Sequence, residues 1–327
     1  MAIATAVSHY PRVGDEPGEQ RLRQTIARAD RGEASPDDVR AAEEETTVAA
    51  LAEQEEAGLD LVTDGQIRWP DPITYVVRGL EGFESGGLLR WFDSNTYYRQ
   101  PRAVGEVRWT HPILAGDLAF ATRHASRPVK AVVTGPYTLG ALSDPGDRGV
   151  ERVTLELADA LNRELRELAA AEPAWIQLDE PAIARNPGVR YPRRFDLFQE
   201  SVRRAVDSVP GRLSLAVYHG AADDVPDLFR LPFSLLSLDF VQGAANWTLL
   251  DGWPAGVGLG LGIVDARNVR MEEPEELAAT VRQVRAATAV SELHVHPSCG
   301  LEFLPREQAR RKLSLLARAV RGAEVGA

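Results

Sequence analysis

Lys130-Ala131-Val132-Val133-Thr134-Gly135-Pro136 and Trp175-Ile176-Gln177-Leu178-Asp179-Glu180-Pro181 flank a long amphipathic stretch at residues 151–171. Each is a short apolar run that stops at a proline-containing turn, the pattern of a buried strand. A strand, a helix and a second strand in this order favour parallel pairing with the helix outside. The same alternation runs outward to both ends. Strands are expected at 3–8, 59–63, 130–134, 175–178, 213–218, 235–238, 257–263 and 293–296. Helical stretches are expected at 35–57, 151–171, 195–208, 225–231, 274–287 and 306–321, with a short one near 246–250. Ser35-Pro36-Asp37-Asp38 is a capping signal for the first of these, and Gly58 is its expected stop. Eight β/α units in this length favour a closed (βα)8 barrel, an α/β TIM barrel, over an open doubly wound sheet. The whole chain, 1–327, reads as one such domain.

One region exceeds a bare barrel. Residues 67–112 follow the second strand and hold Trp69, Trp91, Tyr97, Tyr98 and Trp109. An aromatic-rich insertion on a βα loop belongs at the barrel mouth, as a lid or substrate wall or as a hairpin packed on the rim.

The composition excludes several classes. The 327 residues are 44% hydrophobic and 26% charged, ordinary globular usage. Forty-eight acidic against 37 basic side chains give a net charge of -11, which speaks against nucleic acid as a partner. A single cysteine, Cys299, precludes an intrachain disulfide and suits a reducing compartment. No apolar run approaches the roughly 20 residues of a membrane helix, and residues 1–10 lack a basic signal flank. The expectation is a soluble cytoplasmic protein with no membrane partner.

Barrel chemistry collects at the C-terminal strand ends. Here those ends carry Ser8-His9-Tyr10-Pro11-Arg12, Asp64-Gly65-Gln66, Asp179-Glu180, Tyr218-His219, Asp239, Asp265 and His294-Val295-His296-Pro297-Ser298-Cys299. His219, Asp239 and Cys299 are the ligand types zinc takes, with a fourth position left for substrate. Against that, Cys299 suits plain packing, Asp239 a helix cap, and His219 a satisfied barrel histidine. Asp179 and Glu180 need a cation or hydrogen bonds to sit at a closed mouth; a substrate ammonium would serve, as would Arg185 or Arg12. Gly258, Gly260 and Gly262 lie inside a strand, so they fit close packing rather than a dinucleotide loop.

Taken together these motifs are specific. Ser8 to Arg12, Gly58 to Gly65, Trp91 to Tyr98, Thr134-Gly135-Pro136-Tyr137-Thr138, Ile176 to Ala182 and Pro297 to Leu301 give the chain a resemblance to cobalamin-independent methionine synthases. It resembles in particular the single-barrel, folate-independent core members. The resemblance implies the same barrel and transfer of a methyl group to the thiol of homocysteine, giving methionine. It implies zinc on His219, Asp239 and Cys299, with His219 and Asp179 catalytic. It places His9, Gln66, Asp179 and Glu180 around the amino acid. It also implies a methylcorrinoid protein as donor rather than folate.

The departures are as informative. Ala221 stands where the family has a second cysteine ligand, Gln66 where it has an acid, and Ser8-His9 where it has Gly-Ser. Residues 91–98 and 262–268 look more like the amino-terminal, zinc-free barrel of the long enzyme. Alternatives are therefore another thiol alkyltransferase, a decarboxylase of the same superfamily, or a metal-free non-catalytic scaffold barrel.

Overall fold

The computed structural model describes residues 1–186 and 192–325. Seven strands form one parallel sheet: β1 (Ala2–Ala4), β4 (Lys130–Thr134), β5 (Trp175–Asp179), β6 (Leu213–Val217), β7 (Leu235–Asp239), β8 (Gly258–Val264) and β9 (Leu293–Pro297). Their order is β1-β9-β8-β7-β6-β5-β4. Parallel bridges from Thr5 to Leu61 and from Val62 to Val129 join the two edges. The sheet thereby closes as the expected barrel, with Leu61-Val62 as its eighth stave.

That stave is shorter than the run at 59–63 suggests, for a local reason. The Asp60 carboxylate accepts the Ala4 N–H at 2.9 Å. The Gln54 side chain accepts the Thr63 N–H at 3.0 Å and donates to the Thr63 carbonyl at 2.9 Å. Side chains thus satisfy backbone groups that a longer ladder would pair.

Helices α1 (Arg21–Asp30), α2 (Pro36–Glu56), α4 (Ala115–His124), α6 (Val150–Ala170), α7 (Phe195–Val206), α8 (Pro274–Ala287) and α9 (Arg306–Val325) accompany the staves, with shorter α3 (Thr74–Arg78) and α5 (Pro136–Ala141). The start of α2 is the expected capping box, in which Ser35 Oγ accepts the Asp38 N–H and Asp38 accepts the Ser35 N–H. Gly58, at φ 90°, ends it. Along α6, Leu157, Leu161, Leu165 and Leu168 are fully buried at helical spacing. Each contributes roughly 1.5–3 kcal/mol by leaving water. The helix expected at 225–231 is only a 3-10 turn, Leu228–Arg230, and the stretch near 246–250 lies within a longer 3-10 segment, Ala244–Gly252.

The aromatic insertion is an antiparallel hairpin of β2 (Leu80–Arg90) and β3 (Tyr97–Trp109). Its base is tied to the outer layer: Trp109 Nε1 donates to Glu164 at 2.6 Å and the Val107 N–H to Glu156 at 3.0 Å. Its turn reaches inward, where Tyr98 O–H donates to the Leu142 carbonyl at 3.0 Å and Trp91 is fully buried. The region is thus a hairpin, with Phe92 and Trp91 of its turn beside the ring of His219.

Inside the barrel, β8 explains its glycines. A Cβ on Gly260 would collide with Ser237 Oγ and come within 2.7 Å of His296 Nε2. Glycine at this position gives the His296 ring its space in the barrel interior.

Candidate active site

Alternate residues of a strand share one face, so Gln177 and Asp179 of β5 point the same way and meet Lys130 from β4. Lys130 Nζ donates to the Gln177 Oε1 and to the Ala6 carbonyl, both at 2.7 Å. An ammonium only donates, so the Gln177 amide must present its oxygen to Lys130 and its nitrogen upward. That nitrogen donates to Asp179 Oδ1 and to the Val7 carbonyl, each at 2.7 Å. Tyr218 O–H donates to Asp179 Oδ2 at 3.0 Å. Asp179 is therefore held at both oxygens at the C-terminal end of its strand, with a cation beneath it. Burial pushes the Asp179 carboxyl up and the Lys130 ammonium down, while each charge favours the other.

At the C-terminal strand ends and in the loops after them sits a set of buried polar atoms without hydrogen-bond partners among the described residues. It comprises Ser8 Oγ, His9 Nε2, Gln66 Oε1, Glu302 Oε2 and both ring nitrogens of His219. Buried polar groups are normally satisfied, so such a concentration marks a place where a ligand supplies the partners. His219, at φ 67°, sits in an aromatic box. The ring centroids of Tyr218, Phe92, Phe303 and Trp91 lie 4.8, 5.2, 5.8 and 6.3 Å from its own. Burial, with Arg267 adding to it, lowers its pKa to about 3, so the ring is neutral. His9 is likewise neutral, at about 3 from burial and Arg12, and meets Trp69 edge-on at 5.6 Å. The hairpin turn is fixed over this box by Asp93, which pairs with Arg267 at 2.9 Å.

Two residues expected to bind ligands are otherwise engaged. Glu180 accepts the Tyr137 N–H at 2.9 Å, and the Thr138 N–H and hydroxyl at 2.7 and 2.6 Å. Its carboxylate caps the start of α5, and a Cβ on Gly135 would collide with it. Burial, with the neighbouring Asp179 adding to it, favours its neutral form and carries its pKa to about 7 against those donors. Asp239 accepts backbone N–H groups of Val241 and Gln242 on Oδ1 (2.9 and 2.8 Å) and of His219 on Oδ2 (3.1 Å). It is the turn-forming acid that places His219.

These contacts bear on zinc. His219 has both nitrogens available, but both oxygens of Asp239 serve the backbone. Cys299 is a buried thiol pushed well above its usual pKa by burial, its Sγ 3.5 Å from the Gly300 carbonyl. No group of three or more His, Cys, Asp and Glu with metal-holding geometry occurs among the described residues. The donor set expected for zinc does not fit the metal in this arrangement.

Sequence reasoning missed three members of the site. Lys130 and Gln177 share the inward face with Asp179, so their alternation with apolar neighbours carried a readable signal. Glu302 lies on an irregular loop, where no periodicity identifies it. It is partly buried, with Oε2 wholly so. Burial, and then Asp179, raise its pKa to about 8.

Comparison with known proteins accords with this geometry. The profile of the family described as "Cobalamin-independent synthase, Catalytic domain" matches residues 10–322. The chain belongs to that family. Family members of similar length include the methionine synthase of Saccharolobus solfataricus, 28% identical over 308 residues, covering 92% of this chain and 90% of the relative. That of Thermococcus kodakarensis is 28% identical over 321 residues, covering 94% and 91%. The fold matches that of a B12-independent methionine synthase from a Shewanella species solved with selenomethionine. There the TM-score is 0.81 at 21% identity, over 100% of this chain and 98% of that one. A methyltransferase from Methanosarcina mazei has a TM-score of 0.62 at 13% identity, over 98% and 94%. The family assignment makes the chain an enzyme of the methyltransferase class. Its description as cobalamin-independent lends no support to the methylcorrinoid donor expected from the sequence. No helix among the described residues is long and apolar enough to cross a membrane.

Proposed function

We propose that the chain transfers a methyl group to the thiol of homocysteine, forming methionine. The observation that carries this reading is a set of unpartnered buried polar atoms at the strand ends together with a doubly anchored carboxylate, in a member of this family. An amino-acid thiol offers an ammonium, a carboxylate and a sulfur. Asp179, held by Gln177 and Tyr218, is oriented to receive the ammonium. Ser8 Oγ, with its hydroxyl free, suits the substrate carboxylate. His219 presents a neutral imidazole with both nitrogens unpaired, and can accept a hydrogen bond from the thiol and orient the sulfur toward the methyl group. The sulfur–methyl bond forms as the bond from methyl to donor breaks, and the aromatic box excludes water from that step.

Purified chain is to be incubated with homocysteine and either methyltetrahydrofolate or methylcobalamin, with methionine quantified by mass spectrometry. Methionine formation from one donor, reduced in Asp179→Asn chiefly through a higher KM, is the expected result. No methionine from either donor, together with no detectable homocysteine binding, would overturn the reading. Metal analysis of the same preparation tests the donor set directly. Stoichiometric zinc, lost in both His219→Ala and Cys299→Ala, would show that Asp239 releases its backbone partners to form a metal site.

A further inference from the structure

Asp179 offers the acceptor ammonium one carboxylate, and Gln66 brings no charge to it. We infer that Glu302 is the second acid of this seat and a specificity-determining residue, selecting thiols that carry an amino group. This rests on the acceptor reading above.

Three features place Glu302 there. Its Oε2 is buried and without a hydrogen-bond partner among the described residues, so nothing in the fold uses it. A Cβ on Gly300 would collide with that oxygen and come within 3.0 Å of Ser8 Oγ, another buried, unpartnered atom. Glycine at 300 thus keeps the two polar groups on one side of a shared space. Glu302 also interacts electrostatically with Asp179 and Cys299. The carboxyls of strand five and of the loop after β9 consequently face the same interior.

The cations nearby do not fill this role. Arg267 interacts with Glu302 at longer range, but its NH1 is paired with Asp93 at 2.9 Å. Lys130 lies below Asp179 and donates to Gln177 and Ala6. Two buried carboxyls close enough for Asp179 to raise Glu302, the latter with one oxygen unpaired, are complementary to an incoming ammonium. A site built around a substrate N–H group rejects the analogue lacking it, because its own buried acceptors are then left unpaired. Glu302 is a positioning group in this scheme. It takes no part in bond making at sulfur.

The test compares homocysteine with 4-mercaptobutanoate, the same thiol acid without the amine, by kcat/KM and by direct titration without donor. Wild type is expected to favour homocysteine by about 100-fold or more. Glu302→Gln, nearly isosteric, is expected to raise the homocysteine KM at least about 10-fold with kcat largely retained, and to leave 4-mercaptobutanoate unaffected. Glu302→Asp, keeping the charge, should recover part of the preference. Circular dichroism and melting temperature confirm folding of each variant. Full retention of the preference in a folded Glu302→Gln would overturn the assignment and leave the acceptor reading standing. Failure of wild type to bind or methylate either thiol would overturn both.

Discussion

Lys130→Met tests whether the barrel interior controls the chemistry at its mouth. Two 2.7 Å hydrogen bonds through one amide separate the Lys130 and Asp179 charges. Their separation is then about 7 Å, and at an effective dielectric near 20 the Coulomb energy is roughly 2 kcal/mol, or about 1.7 pKa units. Methionine fills nearly the same volume but carries no charge. Removing the cation raises the Asp179 pKa further, so the acidic limb of kcat/KM should move up by one to two pH units. A second effect adds to this. Without Lys130 the Gln177 amide loses the donor that fixes its orientation, and a flip would turn its oxygen toward Asp179. Gln177→Leu, which removes the relay but keeps the cation, should therefore depress kcat/KM while moving the limb less. The assay is methionine formation between pH 5 and 9 at subsaturating homocysteine, with unfolding followed in parallel. The stability change should be small, because loss of hydrogen bonds to Ala6 and Gln177 is offset by relief of a buried charge. A folded Lys130→Met enzyme with an unmoved acidic limb would refute the electrostatic link and reduce Lys130 to barrel filling.

Two further outcomes follow from the same geometry. Asp239→Ala should destabilise the fold by about 3 kcal/mol or more, since it strips partners from the backbone N–H groups of His219, Val241 and Gln242. Urea unfolding measures this, and a change below about 1 kcal/mol would show that the carboxylate is not the cap described. The second concerns pH. Burial raises Glu180 to about 7 and Glu302 to about 8, so above the unfolded carboxylate range the folded state holds more protons than the unfolded state. Stability from these groups is full at low pH and is lost as pH rises through their folded values. His9, His219 and His296, lowered to about 3, act oppositely, but only below the unfolded histidine value near 6.5. Lys130, lowered to about 7, also works against the carboxyls above pH 7, so the Glu302 part is read as the difference in melting temperature between wild type and Glu302→Gln, which should narrow as pH rises through 8. A difference that does not change across this window would contradict the Glu302 assignment.

The barrel was legible because its cause is periodic. Lys130 to Thr134, Trp175 to Asp179 and Leu213 to Val217 are runs buried on both faces, and closure needs only their repetition between helices. Where a side chain did the work of backbone, the pattern misled. Asp60 and Gln54 shorten the second stave, and nothing in the apolar run at 59–63 announces that. The acids divide in the same way. Asp179, Glu180 and Asp239 all stand at strand ends, and residue type alone made each a ligand candidate. What separates them is which backbone N–H groups come within reach, a property of the loops after β4 and β7. Glu180 meets the start of α5, Asp239 meets the turn at Val241 and Gln242, and Asp179 meets only side chains. A carboxylate held by side chains can exchange a partner for substrate at low cost. One bound to the backbone cannot do so without loosening the fold.

That distinction also explains how this mouth tolerates its unpaired atoms. Each buried donor or acceptor left without a partner costs about 1–3 kcal/mol, so the unpaired atoms of Ser8, His9, Gln66, His219 and Glu302 carry a substantial penalty. The penalty is offset by rigid supports: the Asp239 cap under His219, the Glu180 cap beside Asp179, and the hairpin turn held by Asp93 and Arg267. Backbone-bound acids fix the frame, whereas Asp179 is held by side chains alone. A ligand that pairs the unpaired atoms recovers the penalty on binding. Affinity should then concentrate in polar groups matching those atoms, and a thiol that lacks them should bind through sulfur and methylene contacts alone.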